Sequence, residues 1–351
     1  MKDRIQLLEC TIRDGALGLE DAWINNISKV QISKSERKEL GELTASTNAD
    51  IIEIGSIEIS KEDKSGFDIY QNIEQASLAI PTNKKPGQLY VAMFKGPDTP
   101  SKNIPEWNKS LLDGVRVIIR YSELKKSLEF CEFLSQKGFK VFIQPMATMR
   151  YSEQELNMLV KYANKMNAYA LYFVDSYGYM MPEDILKFSH KFDQLLKPNI
   201  RLGFHAHNNM NMAFANALTF LNYKTNRNVI IDSTASGMGQ GAGNLQTEII
   251  ADYLNKQYGK EYDYKSVLAL CDYVERYNKN DLWGYSVMRL IPAVHNVAYK
   301  YSVYLRKVYN LSYVEIEKTL TILDTLPSEM RYRYSKDNVE KLLRLAGLQK
   351  K

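Results

Sequence analysis

Residues 203–222 read "GFHAHNNMNMAFANALTFLN". With the preceding "IRL" they open on a run, 200–207, in which apolar and polar positions alternate, the pattern of a strand. Gly203, His205 and His207 share one face of that strand, because successive side chains point to opposite sides. A helical pattern then follows at once. One strand running directly into one helix is the unit whose repetition sets the fold, and two of the chain's four histidines stand at its turning point.

Similar β-branched runs occur at "IQLLECT" (5–11), "ADIIEIG" (49–55), "QLYVAMF" (88–94), "GVRVIIR" (114–120), "KVFIQPM" (140–146), "AYALYFVD" (168–175) and "NVIIDST" (228–234). Between most of them lie amphipathic stretches such as "SELKKSLEFCEFLSQKG" and "YSEQELNMLVKYANKMN", each ending on a glycine or asparagine as a helix C-cap does. The segment between the second and third strands is longer and less regular. Eight strands alternating with helices over about 250 residues predict a (β/α)8 (TIM) barrel. A doubly wound open sheet is the alternative, since strand count alone does not prove closure. From residue 260 onward the pattern is helical without strands, as in "YDYKSVLALCDYVERYN" and "SVMRLIPAVHNVAYKYSVYLRKVY". The expected organisation is a barrel over 1–260 and a small C-terminal helical domain over 261–351.

Composition is that of a globular protein, 45% hydrophobic and 25% charged, with a formal net charge of +5 over 351 residues. Lysines and glutamates are interspersed, which describes a solvated surface and not a nucleic-acid-binding face. Cys10, Cys131 and Cys271 are far apart and form no CxxC, which argues against a disulfide framework and a cysteine-ligated zinc. No run approaches the roughly 18 apolar residues of a membrane helix. The opening "MKDRIQLLECTIRDG" has no signal-like stretch, so a cytoplasmic location without membrane or nucleic-acid partners is expected.

In a barrel, His205 and His207 at the end of the seventh strand look either into the mouth, where barrel enzymes do chemistry, or into the helix shell. Two neutral imidazoles there can chelate a metal ion, or serve as ordinary packed histidines. Strand one ends in "TIRDGALG", whose Arg13 and Asp14 would open onto the same mouth. Asp14 supplies a hard oxygen ligand, and one carboxylate with two imidazoles suits a divalent ion with open positions. Arg13 supplies a permanent cation with several donors for an oxyanion. After strand eight comes "DSTASGMGQGAGNLQTE", where Gly237, Gly239, Gly241 and Gly243 let backbone approach a ligand closely. Asn244 ends that loop and either completes the metal shell or caps the helix that follows.

With these three stretches in view, the chain resembles the family of metal-dependent barrel lyases and condensing enzymes that open with a Thr-x-Arg-Asp-Gly signature. That family includes 4-hydroxy-2-oxoacid aldolases, hydroxymethylglutaryl-CoA lyase, and the isopropylmalate and homocitrate synthases. The match covers most of the first 255 residues. "HAHNNMNMAFAN" looks like the aldolases' H-A-H-x-N-L-x-L-x-x-A-N run, and "GMGQGAGN" like their G-M-G-x-G-A-G-N. The synthases usually carry H-x-H-N-D, and position 209 here is Asn, so the 4-hydroxy-2-oxovalerate aldolase branch fits best. The resemblance implies that Asp14, His205 and His207 bind a divalent metal, Mn2+ or Mg2+, with Asn244 close by. It implies that Arg13 stabilises a pyruvate-type enolate, formed when the carbon–carbon bond of a 4-hydroxy-2-oxoacid breaks and an aldehyde leaves. Glu53, Gln144 and Asp175, at the ends of strands two, five and six, are further candidates for contact with substrate, Asp175-Ser176 matching a D-[ST]-x-G turn common in the family.

One departure concerns the base that must take the 4-hydroxyl proton. In the aldolases a histidine follows Arg-Asp-Gly after one intervening residue; here that position is Leu17, after Ala16. Replacement candidates are Tyr177, His295 and Tyr299, with Glu20 and Asp21 behind them. Two other readings stay open: a Claisen-type lyase or synthase using an acyl-CoA, and a catalytically degenerate barrel, which Leu17 favours. The substrates implied are a small 2-oxoacid and an aldehyde, and a homo-oligomer is expected. In degradative members the aldehyde passes to an aldehyde-processing partner enzyme, a surface that no stretch of this chain marks.

Overall fold

The computed structural model describes residues 2–60, 62–279, 281–327, 330–331 and 334–348. Nine strands are present among them: β1 (Ile5–Glu9), β2 (Ile51–Ile57), β3 (Ile69–Tyr70), β4 (Leu89–Phe94), β5 (Gly114–Ile119), β6 (Lys140–Pro145), β7 (Ala170–Asp175), β8 (Arg201–Ala206) and β9 (Val229–Ser233). Eight run β1-β9-β8-β7-β6-β5-β4-β2 around the sheet, and parallel pairing of β1 with β2 closes the circle. The fold is therefore the closed barrel and not the open sheet. The two-residue β3 lies outside it, paired to β2 within the irregular 58–88 segment.

Each barrel strand is buried on both faces, which is why the runs read as nearly continuous apolar segments. One face packs on the surrounding helices. The other fills the lumen with Leu8, Ile51, Val91, Phe142, Tyr172 and Ile230, a packed floor beneath the mouth. Gly203 shares this inner face with His205, and a Cβ there would collide with the Tyr172 ring. Glycine at that point is what lets a tyrosine fill the floor.

Local signals set the helix limits. Ser33 with Glu36, and Ser152 with Glu155, form capping boxes at the starts of Lys34–Ser46 and Glu153–Met166. The second of these ends on Asn167 in a left-handed conformation, as its sequence predicts.

Past residue 260 the chain still packs on the barrel. Helix Tyr264–Glu275 buries Val267, Leu270, Cys271 and Val274 in the same hydrophobic cluster as the barrel, and that cluster continues to Trp283. Periodicity shows that a helix has an apolar face but not which neighbour covers it. The separate second core begins with Ile291 and gathers Tyr301, Leu305, Ile316, Leu320, Val339 and Leu342. Among the described residues, four helices carry most of it: α1 (Val287–Val294), α2 (Lys300–Tyr309), α3 (Tyr313–Asp324) and α4 (Lys336–Ala346).

These helices cover the barrel mouth. Arg150 donates to the Asn296 carbonyl at 2.9 Å and Asn209 to the Arg289 carbonyl at 3.0 Å, each bond crossing from a strand-end loop to the helical unit. Among the described residues no helix is long and apolar enough to cross a membrane. Because overpacking a filled core costs about 1–3 kcal/mol, Gly203→Ala is expected to lower unfolding stability by about that amount in urea titration. A Gly203→Ala/Tyr172→Leu double variant should lose less than the two single losses added together.

Candidate functional site

The chain leaves β1 at Glu9, two residues earlier than its sequence suggests. Thr11–Gly15 then makes one wide π-type turn that runs straight into helix Ala16–Ile24. Such turns break the regular helical progression and re-aim side chains. Here the turn points Arg13 and Asp14 into the mouth, both buried. The Ala235 amide donates to Thr11 Oγ1 at 2.7 Å, tying the turn to the loop after β9.

Six side chains close a ring through the lumen. Arg13 Nη1 donates to Asp14 Oδ1 and its Nε to Glu53 Oε2, each at 2.7 Å. Arg116 Nη1 donates to the same Glu53 oxygen at 2.7 Å, and Arg116 Nη2 to Asp232 Oδ2. His205 Nδ1 meets that Asp232 oxygen at 3.0 Å. His205 Nε2 then stands 3.4 Å from Asp14 Oδ2, returning to the start. A carboxylate on Nδ1 orients the ring so that Nε2 faces Asp14 and the mouth.

The charge states follow from this geometry. Burial opposes the Asp14 anion, but the positive charge of Arg13 and the neighbouring His205 outweigh it and hold the carboxyl far below its usual range. Asp232 is held low the same way by Arg116 and His205, against burial. Burial disfavours the His205 imidazolium, and the two carboxylates beside it, Asp14 and Asp232, more than offset that, so its pKa is raised. Burial pulls His207 down to about 4, which leaves it neutral and able to ligate near pH 7. Its ring centroid lies 5.3 Å from that of His205.

The donor set fits a divalent cation. Asp14 Oδ2 and Asn244 Oδ1 are buried acceptors without a hydrogen-bond donor, beside two imidazoles. Among the described residues, the one group of three ligand atoms lying within 4.8 Å of one another is that of Cys10, Asp14 and His205, with His207 outside it. Burial pushes the Cys10 thiol well up, and it donates to the Ser233 carbonyl at 3.2 Å, so it contributes no thiolate. Asn244 does not cap the next helix, which begins at Thr247. Its amide nitrogen instead donates to the Met238 carbonyl at 3.2 Å, and residue 244 bridges to His207 through backbone. The glycines of this loop serve mainly the protein itself. A Cβ at Gly239 would strike the Asn244 amide, and one at Gly243 (φ 82°) the Gly237 carbonyl.

Above this floor is a cavity of about 330 Å³. Its apolar wall is Leu17, Met93, Ile118, Met146 and Val174; Gln144, Ser176, Tyr177, Asn209 and Gln240 are its polar part. Ala298, Tyr299, Lys300 and Tyr334 close it from the helical unit.

The structure brings some of the expected residues together and not others. Arg13, Asp14, His205, His207, Gln144, Tyr177 and Tyr299 all line the cavity. Glu53 does not: it sits mid-strand beneath Arg13 and Arg116, fully buried. Asp175 accepts from the Tyr179 and Met180 amides at 2.9 and 3.0 Å, and burial pushes its carboxyl up to about 7. It shapes the loop that carries Tyr177. His295 is not at the mouth. It lies between Asp324 (2.5 Å) and Glu317 (2.9 Å) within the helical unit, where those carboxylates claim both its ring nitrogens. Glu20 is held by Lys64 (3.0 Å) and Lys95 (2.6 Å). Sequence reasoning missed Arg116 and Asp232; the available signal was a charge on the inward face of an otherwise apolar strand.

A family model described as HMGL-like matches residues 4–274. The chain is 29% identical over 185 residues to 4-hydroxy-2-oxovalerate aldolase 2 of Comamonas testosteroni, an alignment spanning 53% of this chain and about half, 51%, of that one. It is 23% identical over 257 residues to 4-hydroxy-2-oxovalerate aldolase of Geobacillus genomosp. 3, covering 73% and 72% of the two chains. The crystal structure of the N-terminal domain of a candidate aldolase from Bacteroides vulgatus superposes with a TM-score of 0.66 at 21% identity, covering 87% of this chain and 98% of that one.

Partners that orient a metal-ligating histidine are worth 10–100-fold in metal affinity. If a divalent ion takes His205 Nε2, Asp232→Asn would weaken its binding by about 10–100-fold in an Mn2+ EPR titration, and thermal melts should show the stability lost as Arg116 loses one of its two acids.

Proposed function

This chain belongs to the HMGL-like family, and from that premise we propose that it is a divalent-metal-dependent aldolase cleaving or forming a 4-hydroxy-2-oxoacid. The observation that carries the reading is the ring's upper edge: an anionic Asp14 with an orphaned oxygen, two imidazoles and a guanidinium at the foot of one cavity. Mn2+ or Mg2+ held by Asp14, His205 and His207, with Asn244 adjacent, would supply a Lewis acid for the 2-oxo and carboxylate oxygens of the substrate.

The residues around it have separate tasks in this reading. Arg13 gives Nε to Glu53 and Nη1 to Asp14, which fixes its plane and leaves Nη2 for the enolate oxygen. Gln144 carries a buried amide nitrogen without a partner and lines the cavity, a donor suited to the substrate carboxylate. Leu17, Ile118, Met93 and Met146 keep the reacting carbons away from water. The helical unit completes the enclosure through Tyr299 and Tyr334.

The test is a screen of the purified protein with Mn2+ or Mg2+. Pyruvate is offered with a panel of aldehydes, acyl-CoA esters are offered separately, and mass spectrometry reads the new carbon–carbon bond. A pyruvate–aldehyde adduct supports the aldolase; a product from acyl-CoA alone replaces it with the Claisen reading. His205→Ala and His207→Ala should each abolish metal-dependent turnover with the fold intact. Arg13→Lys keeps the charge but not the planar fork. Loss of a positioned oxyanion donor costs on the order of 10²–10³-fold in turnover, and an Arg13→Lys enzyme within twofold of wild type would remove Arg13 from the mechanism.

A further inference from the structure

We propose that Asp21, acting through the phenol of Tyr299, is the final acceptor of the substrate's 4-hydroxyl proton, a two-residue relay in place of a base at Leu17. This inference rests on the aldolase reading above.

Leu17 is on the cavity wall and accepts no proton. Asp21 lies one helical turn further along Ala16–Ile24, so positions 17 and 21 share a helix face. A turn of helix advances about 5.4 Å, which leaves the carboxylate outside the cavity lining. Tyr299 spans that gap. It lines the cavity, and its hydroxyl donates to Asp21 Oδ2. The other Asp21 oxygen is held by Lys300 Nζ at 2.5 Å, which fixes the carboxylate toward the phenol. The remaining cavity tyrosines are placed differently: Tyr177 faces the Arg150 guanidinium and Tyr334 packs on Tyr301 and Tyr304.

A tyrosine alone would not serve. Burial and the Asp21 charge push its phenol well above the ordinary value, so it stays protonated near neutrality. It can take a proton only by giving one up at the same time. In the cleavage step the 4-hydroxyl proton moves to Tyr299 Oη while the phenol's own proton moves to Asp21 Oδ2. The C3–C4 bond breaks, its electron pair enters the enolate, and the C4 oxygen leaves as the aldehyde carbonyl. One negative charge disappears from Asp21 and one appears on the enolate. Synthesis runs the same transfer backward, Tyr299 protonating the new alkoxide. Water can stand beside the carboxylate that ends the relay. Two small cavities of about 20 Å³ each are lined by Asp21 and Tyr299 together and lie apart from the substrate cavity. Each has room for a water, which takes roughly 10–15 Å³ on this measure.

The experiment uses the full chain loaded with Mn2+ and whichever 4-hydroxy-2-oxoacid the wild type cleaves. Asp21→Asn and Tyr299→Phe are each expected to lower kcat by about 10²–10⁴-fold, the worth of a general base, with KM little changed. Because relay members act as one unit, the double variant should be no slower than the slower single one. Asp21→Glu should restore part of the loss. A single variant within threefold of wild type, or losses that multiply in the double, would overturn the relay. Mn2+ EPR and thermal melts check that each variant is folded and loaded. A measurement on the wild type needs no variant: the single-turnover rate plotted against D₂O fraction should curve, as two protons moving together require, and a straight line rejects the relay. A wild type that cleaves no 4-hydroxy-2-oxoacid defeats the aldolase reading itself, whereas normal cleavage by the variants defeats the relay alone.

Discussion

Two guanidinium groups and three carboxylates are buried in the lumen of this barrel, and none of them is isolated. Moving such an ion out of water costs several kcal/mol even after relaxation, and removing one partner of a buried pair costs about 3–5 kcal/mol. Arg116 is fully buried between Glu53 and Asp232, so its charge is tolerable only while both acids hold their places. Those acids come from β2 and β9, and Arg116 from β5. The ring therefore demands a closed barrel with one strand register, because a one-residue slip would turn each of these charges into the apolar helix shell. Through Asp232 the same ring fixes which nitrogen of His205 faces Asp14, and through Glu53 it fixes the plane of Arg13.

Much of this was legible in the amino-acid order. The barrel strands read correctly because two-sided burial makes them uniformly apolar and helix caps such as Asn167 mark the intervals. Arg13, Asp14, His205 and His207 were legible because they stand where strands end, and the structure gathers them at one cavity. Arg116 and Asp232 lie in stretches correctly read as strands, yet a charge within a strand ordinarily signals an exposed face. Only closure makes that face a lumen. The wide turn at Thr11–Gly15 has no sequence mark of its own, so the apolar pattern carries the strand two residues too far. His295 shows a different limit. Its environment is set by Glu317 and Asp324 on α3, two helices further on, and no local pattern reports a pairing across 22 or 29 positions.

Asn244 and the glycines around it illustrate how one motif can be right in place and wrong in reason. The loop does reach the mouth, where Gln240 lines the cavity, and Asn244 Oδ1 is buried without a donor. It reaches it by folding on itself, glycine against carbonyl and glycine against amide. The helix that Asn244 would cap by its place in the sequence starts three residues later, at Thr247.

The proposed metal donors and Asp21 belong to the barrel, but Tyr299 arrives from the helical unit, 278 residues away from Asp21 in the chain. The two are joined only across the seam where that unit rests on the mouth. Displacement of the cover would leave Asp14, His205 and His207 in place while parting phenol from carboxylate. In the proposed mechanism an uncovered site could still bind a 2-oxoacid, yet it would lack the means to start the bond cleavage. Reactivity would then be interlocked with enclosure, and an enolate would form only when the cover that shields it from stray protons is already seated.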